Sequence, residues 1–152
     1  MIEIRVAQLA DIARIMELGE EFAKSSPNFS RLRFSKEQTV LVLELMIGHT
    51  DPGVFVAYSD GVIVGGLVAC IAPAWFSTDI CTTDIAFYVD KEFRKSTVAA
   101  RLVKQYVKWA KRQNAYIIEL TVTSEMDTER VKLFFKRMGF REIGAVMQYE
   151  SK

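Results

Sequence analysis

Histidine and cysteine are scarce in this 152-residue chain, which holds one His and two Cys. Two cysteines cannot build the disulfide framework of a small secreted domain, and their spacing is not that of a zinc site. We therefore expect Cys70 and Cys81 to be small buried hydrophobic residues of a protein in a reducing compartment. The sequence predicts no metal site.

Proline, glycine and an excess of charge of either sign are also lacking. Three prolines and eight glycines exclude collagen-like and low-complexity chains. Twenty Lys and Arg against 19 Asp and Glu leave a net charge of +1, which favours neither nucleic acid nor an acidic membrane as a partner. Half of the residues are hydrophobic and 26% are charged, so we predict a single globular domain over residues 1–152.

The sequence also lacks a secretion signal and a clear membrane span. The first residues include acids and have no apolar signal-peptide core. Residues 61–78 carry no charge, which approaches the length of a span, but three glycines and Pro73 interrupt them. Their β-branched residues and the turn at 59–61 favour a buried strand. We expect a cytoplasmic protein without a membrane partner.

What the sequence does contain is a clear alternation of strand and helix patterns. The order is β-α-α-β-β-β-α-β-α-β, which predicts an α/β domain (α+β type) with a mixed sheet flanked by helices. Strands are predicted at residues 2–7, 54–58, 62–72, 80–89, 116–123 and 143–149. Helices are predicted from residue 9 to about 24, from 35 to about 48, from about 96 to 111 and from about 128 to 138.

Local signals place several boundaries. Ser35 and Gln38 form a capping-box pattern, Asp60-Gly61 predicts a hairpin turn, and Gly139 fits the left-handed position that ends a helix. The third helix has an apolar stripe that should face the core. Its members are Val98, Leu102, Tyr106 and Ala110.

This order of elements resembles the GNAT superfamily of acyl-CoA-dependent N-acyltransferases over nearly the whole chain. Three segments carry the resemblance: IRVAQLADIARIMEL, IAFYVDKEFRKSTVAARLV and RVKLFFKRMGFREIG. They look like the family's first strand and helix, its central strand with cofactor loop, and its last helix with a Gly-Phe exit. The resemblance implies a GNAT-like fold that uses acetyl-CoA as cosubstrate.

The start of the third helix is the candidate cofactor site. Unpaired N–H groups and a partial positive charge suit a helix N-terminus to a pyrophosphate, and Arg94 and Lys95 add positive charge. The family pattern Arg/Gln-x-x-Gly-x-Gly/Ala matches Arg94 and Ala99, but Thr97 replaces the first Gly. The alternative is that Ser96 only caps a surface helix. The resemblance implies a cofactor set of Phe87, Val89, Arg94, Lys95, Ser96, Thr97, Val98, Ala99, Ala100, Thr128 and Phe135.

Acyl transfer to an amine requires a base and a way for the thiolate to leave. Asp84, in an otherwise apolar strand, is the candidate base, with Glu125 and Asp127 as alternatives. Asp84 is equally well interpreted as a buried carboxylate bonded to a neighbouring threonine. Phe135 stands where the family usually has its acidic Tyr. We therefore consider Ser124, Tyr88, Tyr149 or water as the acid, or a thiolate that leaves unassisted.

The acceptor site is the hardest part to predict from the sequence. Glu20, Glu21 and Asp79 could attract a cationic amine, although each is also consistent with solvated surface charge. Trp75 and Phe76 beside a proline suggest a substrate wall or a dimer contact, with a core plug as the alternative.

The leading hypothesis is an N-acetyltransferase that moves an acetyl group directly from acetyl-CoA to an amine of a small molecule, peptide or protein. The alternative is a degenerate GNAT-like module that binds CoA or a partner protein without turnover, which Thr97 and Phe135 favour. A basic stripe on the third helix lacks the aromatics of a nucleic-acid surface. We expect a monomer or a homodimer.

Overall fold

Five strands form one sheet whose spatial order follows the chain, β1-β2-β3-β4-β5. The computed structural model describes residues 1–152. The first four strands pair antiparallel, and β5 runs parallel to β4 because a helix connects them. The strands are β1 Ile2–Val6, β2 Val54–Ser59, β3 Val62–Ile71, β4 Ile80–Val89 and β5 Ala115–Ile118.

Four α-helices and three short 3-10 helices complete the fold. The α-helices are α1 Ile12–Ser25, α2 Lys36–Ile47, α3 Val98–Arg112 and α4 Thr128–Arg137. The 3-10 helices are Leu9–Asp11, Phe29–Arg31 and Lys91–Phe93. None of the helices has the length and apolar character needed to cross a membrane.

Both faces of the sheet are covered, because successive residues of β2 belong to different core clusters. Phe55 packs with Tyr106 and Trp109 of α3 on one face. Val54 and Val56 pack on the other face, in the cluster that holds the buried leucines of α1 and α2. The predicted mixed α/β domain is therefore confirmed.

Several local predictions are also confirmed. Asp60 and Gly61 both have positive φ, 50° and 80°, as a two-residue hairpin turn requires, and Gly139 has φ 98° after α4. Ser35 caps α2 by accepting a hydrogen bond from the Gln38 N–H at 3.1 Å. The predicted apolar stripe of α3 is buried.

A β-bulge in β4 and the short β4–β5 ladder create an opening in the sheet. Val68 pairs with Ala86 and Ala69 with Asp84, so Ile85 is the extra residue of the bulge. β5 pairs with β4 only from Ile80 to Thr82. The second half of β4 therefore diverges from residues 119–124, and we call this gap the β4–β5 opening.

The predicted closing strand at residues 143–149 is wrong, because the structure has no strand after α4 and every residue from 141 to 152 is exposed. β5 ends at Ile118 and not at residue 123, since it leaves the ladder there. The first α-helix begins at Ile12 and not at the predicted residue 9, since Leu9–Asp11 form a 3-10 turn in which Leu9 is 63% exposed. Cys70 and Cys81 are half-buried.

Candidate functional site

The start of α3 presents a set of free backbone donors. The Ser96 hydroxyl accepts the Val98 N–H at 3.2 Å, while the N–H groups of Thr97, Ala99 and Ala100 make no hydrogen bond. Val98 is fully buried and anchors the helix to the sheet. Three unpaired donors at a helix N-terminus, where the helix dipole is positive, are suited to an anion such as a phosphate.

Gly65 in β3 allows α3 to begin this close to the sheet. A Cβ at this position would lie 3.1 Å from the Tyr88 carbonyl oxygen and 3.3 Å from Val98 Cγ1. Both distances are tighter than ordinary packing, so a larger residue would push the helix start away from β4.

Thr97 occupies the position where the GNAT pattern has glycine. Its backbone is right-handed helical, with φ −82° and ψ 0°, which any L-residue adopts without strain. The position therefore does not need glycine for its conformation. Threonine instead reduces the space available to a ligand at the free donors, because it has a Cβ and a hydroxyl that glycine lacks.

The Arg94 side chain is fastened to the end of β4. Its Nε donates to the Val89 carbonyl at 3.1 Å, and its guanidinium lies 5.4 Å from the centre of the Tyr88 ring. One terminal nitrogen, Nη2, is buried without a partner. Lys95, in contrast, is exposed, so it is the solvent-accessible positive charge of this loop.

Phe87 and Val89 point toward α3 and α4. Val89 is buried in the first core cluster. The Phe87 ring stacks on the Phe135 ring, with 6.2 Å between the ring centres and an interplanar angle of 16°. Phe135 is 6% exposed and also contacts two other phenylalanines. It is therefore a packing residue without a polar group. Thr128 is the half-buried first residue of α4.

Tyr88 lies on the opposite face, against α1. Its ring packs on Phe22 at 5.5 Å, and its buried hydroxyl has no hydrogen-bond partner. Burial, and then the nearby Glu21 carboxylate, raise the pKa of the Tyr88 phenol. The structure thus brings together Tyr88, Arg94 and Glu21, with a phenol that keeps its proton at neutral pH.

Asp84 is buried on the α3 face, apart from the Tyr88 group. Its carboxylate accepts the Thr121 N–H at 2.8 Å and so bridges the β4–β5 opening at its base. It bonds neither Thr82 nor Thr83 through its side chain; the Thr83 hydroxyl donates to the Asp84 backbone carbonyl at 3.4 Å. Burial raises the pKa of Asp84, and the Thr121 N–H partly offsets that rise.

Ser124 lies across the opening, where the loop after α1 is attached. The Ser26 hydroxyl donates to the Ser124 carbonyl at 2.5 Å, and the Asn28 side chain donates to the Thr123 carbonyl at 2.6 Å. Ser26 and Asn28 are both buried. The sequence predicts only the end of a helix near residues 26–28 and gives no sign of this attachment. Small polar residues after a helix do not reveal to which distant carbonyls they donate hydrogen bonds.

Trp75, Phe76 and Asp79 lie in the loop before β4, at the end remote from Arg94. The ten-residue strand puts about 30 Å between these two ends. Trp75 and Phe76 are 95% and 74% exposed and pack edge to face at 5.6 Å, so the core-plug interpretation is wrong. Asp79 is also exposed.

A small, mostly apolar cavity of about 200 Å³ lies between α2 and the bulge of β4. It reaches the sheet where Ile85 interrupts the ladder. Its lining residues are Gln38, Thr39, Val42, Leu43, Val68, Ile85 and Ala86. No group of three or more His, Cys, Asp or Glu side chains is arranged to hold a metal ion.

Comparison with solved structures identifies the fold. An aminoglycoside N-acetyltransferase, AAC(6')-Iy in complex with CoA, superposes with a TM-score of 0.78 at 16% identity, over 100% of this chain and 95% of that chain. Glucosamine-6-phosphate N-acetyltransferase from Arabidopsis thaliana gives 0.77 at 16% identity, over 100% and 99%. An acetyltransferase from Trypanosoma brucei gives 0.74 at 17% identity, over 99% of each chain.

A comparison with family profiles points to the same family, whereas a comparison with single sequences finds no match. No curated protein sequence matches this chain. The profile of the acetyltransferase (GNAT) family, however, matches residues 13–140, which include nearly all of α1, the start of α3 and all of α4. This match covers most of the chain and agrees with the superpositions. The chain therefore belongs to the GNAT acetyltransferase family.

Proposed function

We propose that this protein is an N-acetyltransferase that transfers an acetyl group directly from acetyl-CoA to an amine of a small molecule, peptide or protein. The observation that carries the proposal is the β4–β5 opening, which lies beside the free N–H groups at the start of α3. Family membership supplies the reaction class.

Acetyl-CoA would bind along the second half of β4. Its diphosphate would take the free N–H groups of Thr97, Ala99 and Ala100, with Lys95 as the neighbouring cation. Its pantetheine arm would enter the opening and pair with the backbone at Phe87 and Val89 like an added strand. AAC(6')-Iy, which shares this fold, is in complex with CoA, and this supports CoA as the kind of ligand.

Tyr88 is our candidate for the proton donor that Phe135 cannot be. Its hydroxyl is buried without a hydrogen-bond partner and so is free to donate, and burial followed by Glu21 raises the pKa of the phenol further above neutral pH. A thiolate is a fair leaving group, so one hydrogen bond in a low-dielectric site is a substantial help. Ser124, across the opening, is the second candidate for this role.

The acceptor amine would approach from the side of α1 and α2. Glu21 supplies negative charge there, and the cavity beside Ile85 supplies an apolar wall. The Asp84 carboxylate lies on the α3 face of β4, opposite the side from which the amine approaches. It would therefore take the amine proton through a water molecule and not by direct contact. Trp75, Phe76 and Asp79 would contact only an acceptor long enough to reach the far end of β4.

The second candidate function is a module that binds CoA or a partner protein without turnover. The burial of Phe135 favours it, since no hydroxyl stands at the family's usual acid position. The two functions differ in one measurable property, which is release of free CoA thiol in the presence of an amine.

The test is calorimetric titration of the purified protein with acetyl-CoA, followed by thiol release with a panel of amines. We expect saturable binding that weakens about tenfold in Lys95→Ala, the loss expected for one charge-assisted hydrogen bond. Lys104→Ala is the matched control, because it removes an exposed lysine in the middle of α3, away from the free donors at its start.

The two proposals separate by outcome. Binding with thiol release supports the transferase, and binding without release by any amine supports the module. Absence of binding heat at millimolar acetyl-CoA would contradict the proposed cofactor site. An equal loss of acetyl-CoA affinity in Lys95→Ala and Lys104→Ala would contradict it as well.

A further inference from the structure

Two polar side-chain atoms of this protein are buried without a hydrogen-bond partner, and both lie in the candidate site. They are the hydroxyl of Tyr88 and the Nη2 nitrogen of Arg94. Tyr88 is 7% exposed, and the Arg94 guanidinium carbon lies 5.4 Å from the centre of its ring. Native proteins pair nearly all of their buried polar groups, because an unpaired one destabilises the fold. Two such groups side by side therefore point to a role in chemistry and not in stability.

The Arg94 side chain is turned toward Tyr88 and not toward the start of α3. Its Nε donates to the Val89 carbonyl at 3.1 Å. The Tyr88 ring packs with Phe22 in the core cluster on the α1 face of the sheet, whereas Val98, the first residue of α3, is buried in the cluster on the other face. The guanidinium beside Tyr88 is thus apart from the free N–H groups that we assign to the diphosphate.

The positive charge of Arg94 has no carboxylate partner. Arg94 takes part in none of the ion pairs of the chain, and Asp90 of the same loop pairs with Arg14 at 3.8 Å. Burial and the Glu21 carboxylate of α1 raise the pKa of the Tyr88 phenol, whereas Arg94 lowers it. The hydroxyl therefore has one charged neighbour that favours keeping its proton and one that favours losing it.

Tyr88 needs a cation beside it because a buried phenol is a poor acid for a thiolate. The ordinary pKa is about 10 for tyrosine and about 8.5 for a thiol, so proton transfer from the phenol to a departing thiolate is unfavourable. Burial makes the transfer more unfavourable, since it disfavours the charged phenolate. A cation that donates a hydrogen bond to the phenolate oxygen offsets both effects. Arg94 Nη2 is the unpaired cationic donor beside this hydroxyl.

We propose that Arg94 is a positioning residue, whose Nη2 N–H donates to the Tyr88 oxygen while that hydroxyl gives its proton to the departing CoA thiolate. The proposal rests on the acetyl transfer proposed above and deepens it. In this step the thioester C–S bond breaks and its electron pair goes to sulfur, which takes the Tyr88 proton. The phenolate accepts the hydrogen bond from Arg94 and regains a proton from solvent when the products leave. Arg94 keeps its own proton throughout, and the amine proton goes separately to Asp84 through water.

The family pattern suggests another role for Arg94, which is binding of the CoA diphosphate. The two roles predict different kinetics. Loss of a diphosphate ligand weakens the binding of acetyl-CoA, whereas loss of a residue that acts through the proton donor lowers kcat at saturating acetyl-CoA.

The first test measures the ionisation of the phenol at position 88 directly and needs no turnover. 3-Fluorotyrosine introduced there in the full chain keeps the hydroxyl and ionises at lower pH, and its fluorine NMR signal is followed against pH. We expect Arg94→Gln to raise the pKa of this phenol by about one unit or more, because a cation that favours the phenolate is lost. Glu21→Gln should lower it, because an anion is lost. Lys91→Gln is the matched control, since Lys91 is an exposed cation of the same loop, and it should leave the pKa unchanged.

The second test separates turnover from binding. We expect Arg94→Gln to lower kcat for CoA thiol release at least about tenfold, with an acetyl-CoA dissociation constant within about twofold of the wild-type value. In a Tyr88→Phe background the same substitution should change kcat by less than about twofold, since the group that it serves is gone. Arg94→Lys, which keeps the charge, should recover part of the loss. Thermal unfolding checks that each variant keeps its fold.

Three results would overturn the proposal. The first is an Arg94→Gln variant that leaves the fluorotyrosine pKa unchanged or lowers it. The second is a loss of acetyl-CoA affinity of about tenfold with kcat kept, which would assign Arg94 to the diphosphate. The third is an equal fall of kcat with Tyr88 and with Tyr88→Phe. Absence of thiol release by the wild type with every amine would instead refute the proposed acetyl transfer, while the fluorine titration would still decide whether Arg94 acts on Tyr88.

Discussion

The carboxylate of Asp84 is both a hydrogen-bond acceptor for the Thr121 backbone and the candidate general base. The first role is structural, because it joins β4 to the diverging chain after β5. The second role needs a proton acceptor whose pKa is raised toward the working pH, and burial raises the pKa of Asp84 in that direction. Geometry alone is compatible with both roles.

Asp84→Asn separates these roles, because the amide oxygen can still accept the Thr121 N–H while the base is lost. We expect kcat/KM for acetyl transfer to fall about 100-fold or more, with the fold kept. The wild-type rate should decline on the acid side of the raised pKa, and the variant should lack this limb. The measurement is a pH profile of CoA thiol release.

Glu119→Gln is the control for Asp84→Asn, since Glu119 is an exposed carboxylate on the strand side that faces β4 across the β4–β5 opening. It should leave the rate within about twofold, as expected for a surface substitution. An Asp84→Asn enzyme of normal rate would assign Asp84 to structure only.

At the scale of elements, the start of α3 depends on its neighbours. Val98 inserts beside Gly65, and Arg94 bonds to the last residue of β4. These contacts leave the N–H groups of Thr97, Ala99 and Ala100 free. The helix start is therefore positioned by the sheet, and its donors are available to a ligand.

Thr97→Gly tests whether the threonine crowds that ligand. Position 97 has ordinary helical dihedrals, so glycine relieves no strain and should cost about 0.5–1 kcal/mol of stability through chain entropy. We expect acetyl-CoA to bind more tightly, by up to about tenfold, as the Cβ is removed. Titration calorimetry and thermal unfolding measure the two effects.

Thr97→Ser is the comparison, because serine keeps a hydroxyl and a Cβ. Its affinity should stay close to that of the wild type. If Thr97→Gly instead weakens binding and Thr97→Ser preserves it, the threonine hydroxyl donates to the ligand and does not obstruct it.

At the scale of the whole molecule, one ion pair joins the first strand to the rest of the fold. Arg5 of β1 donates to both carboxylate oxygens of Asp11, at 2.9 and 3.1 Å, and the Tyr58 hydroxyl of β2 donates to the same group. Burial would raise the pKa of Asp11, but hydrogen bonds from Arg5, Tyr58 and the Gln8 N–H lower it. The carboxylate is therefore charged in the folded protein.

A lowered folded pKa makes this cluster sensitive to acid. Its contribution to stability is present above the unfolded pKa of about 3.9 and is lost as pH falls through the lower folded value. Asp11→Asn should cost about 3 kcal/mol at neutral pH, because Arg5 is left without its partner. The free energy of unfolding of this variant should also fall less on acidification, which denaturant titration at several pH values measures.

Glu17→Gln is the matched control, since Glu17 pairs with Arg14 at 3.0 Å but is 64% exposed. It should change stability by less than about 1 kcal/mol. Equal losses in the two variants would show that the Arg5–Asp11–Tyr58 cluster adds nothing beyond a surface pair.

Much of this protein could be predicted from the sequence because its signals are local. Turn chemistry identifies Asp60-Gly61 and Gly139 through the positive φ that they adopt. Apolar periodicity identifies the buried stripe of α3. The order of these elements, with the segment around Arg94, was enough to indicate the family before any coordinates.

Contacts between residues distant in the chain were decided only by the tertiary structure. The Ser26 and Asn28 attachment spans about 95 residues, and the Arg5–Tyr58 contact spans 53. Phe135 became a stacked core residue because Phe87 lies opposite it. The pattern at 143–149 predicts a strand, and that prediction is wrong, because no edge of the sheet pairs with the segment. Whether a strand pattern meets a pairing edge depends on the assembled sheet, which local sequence cannot specify.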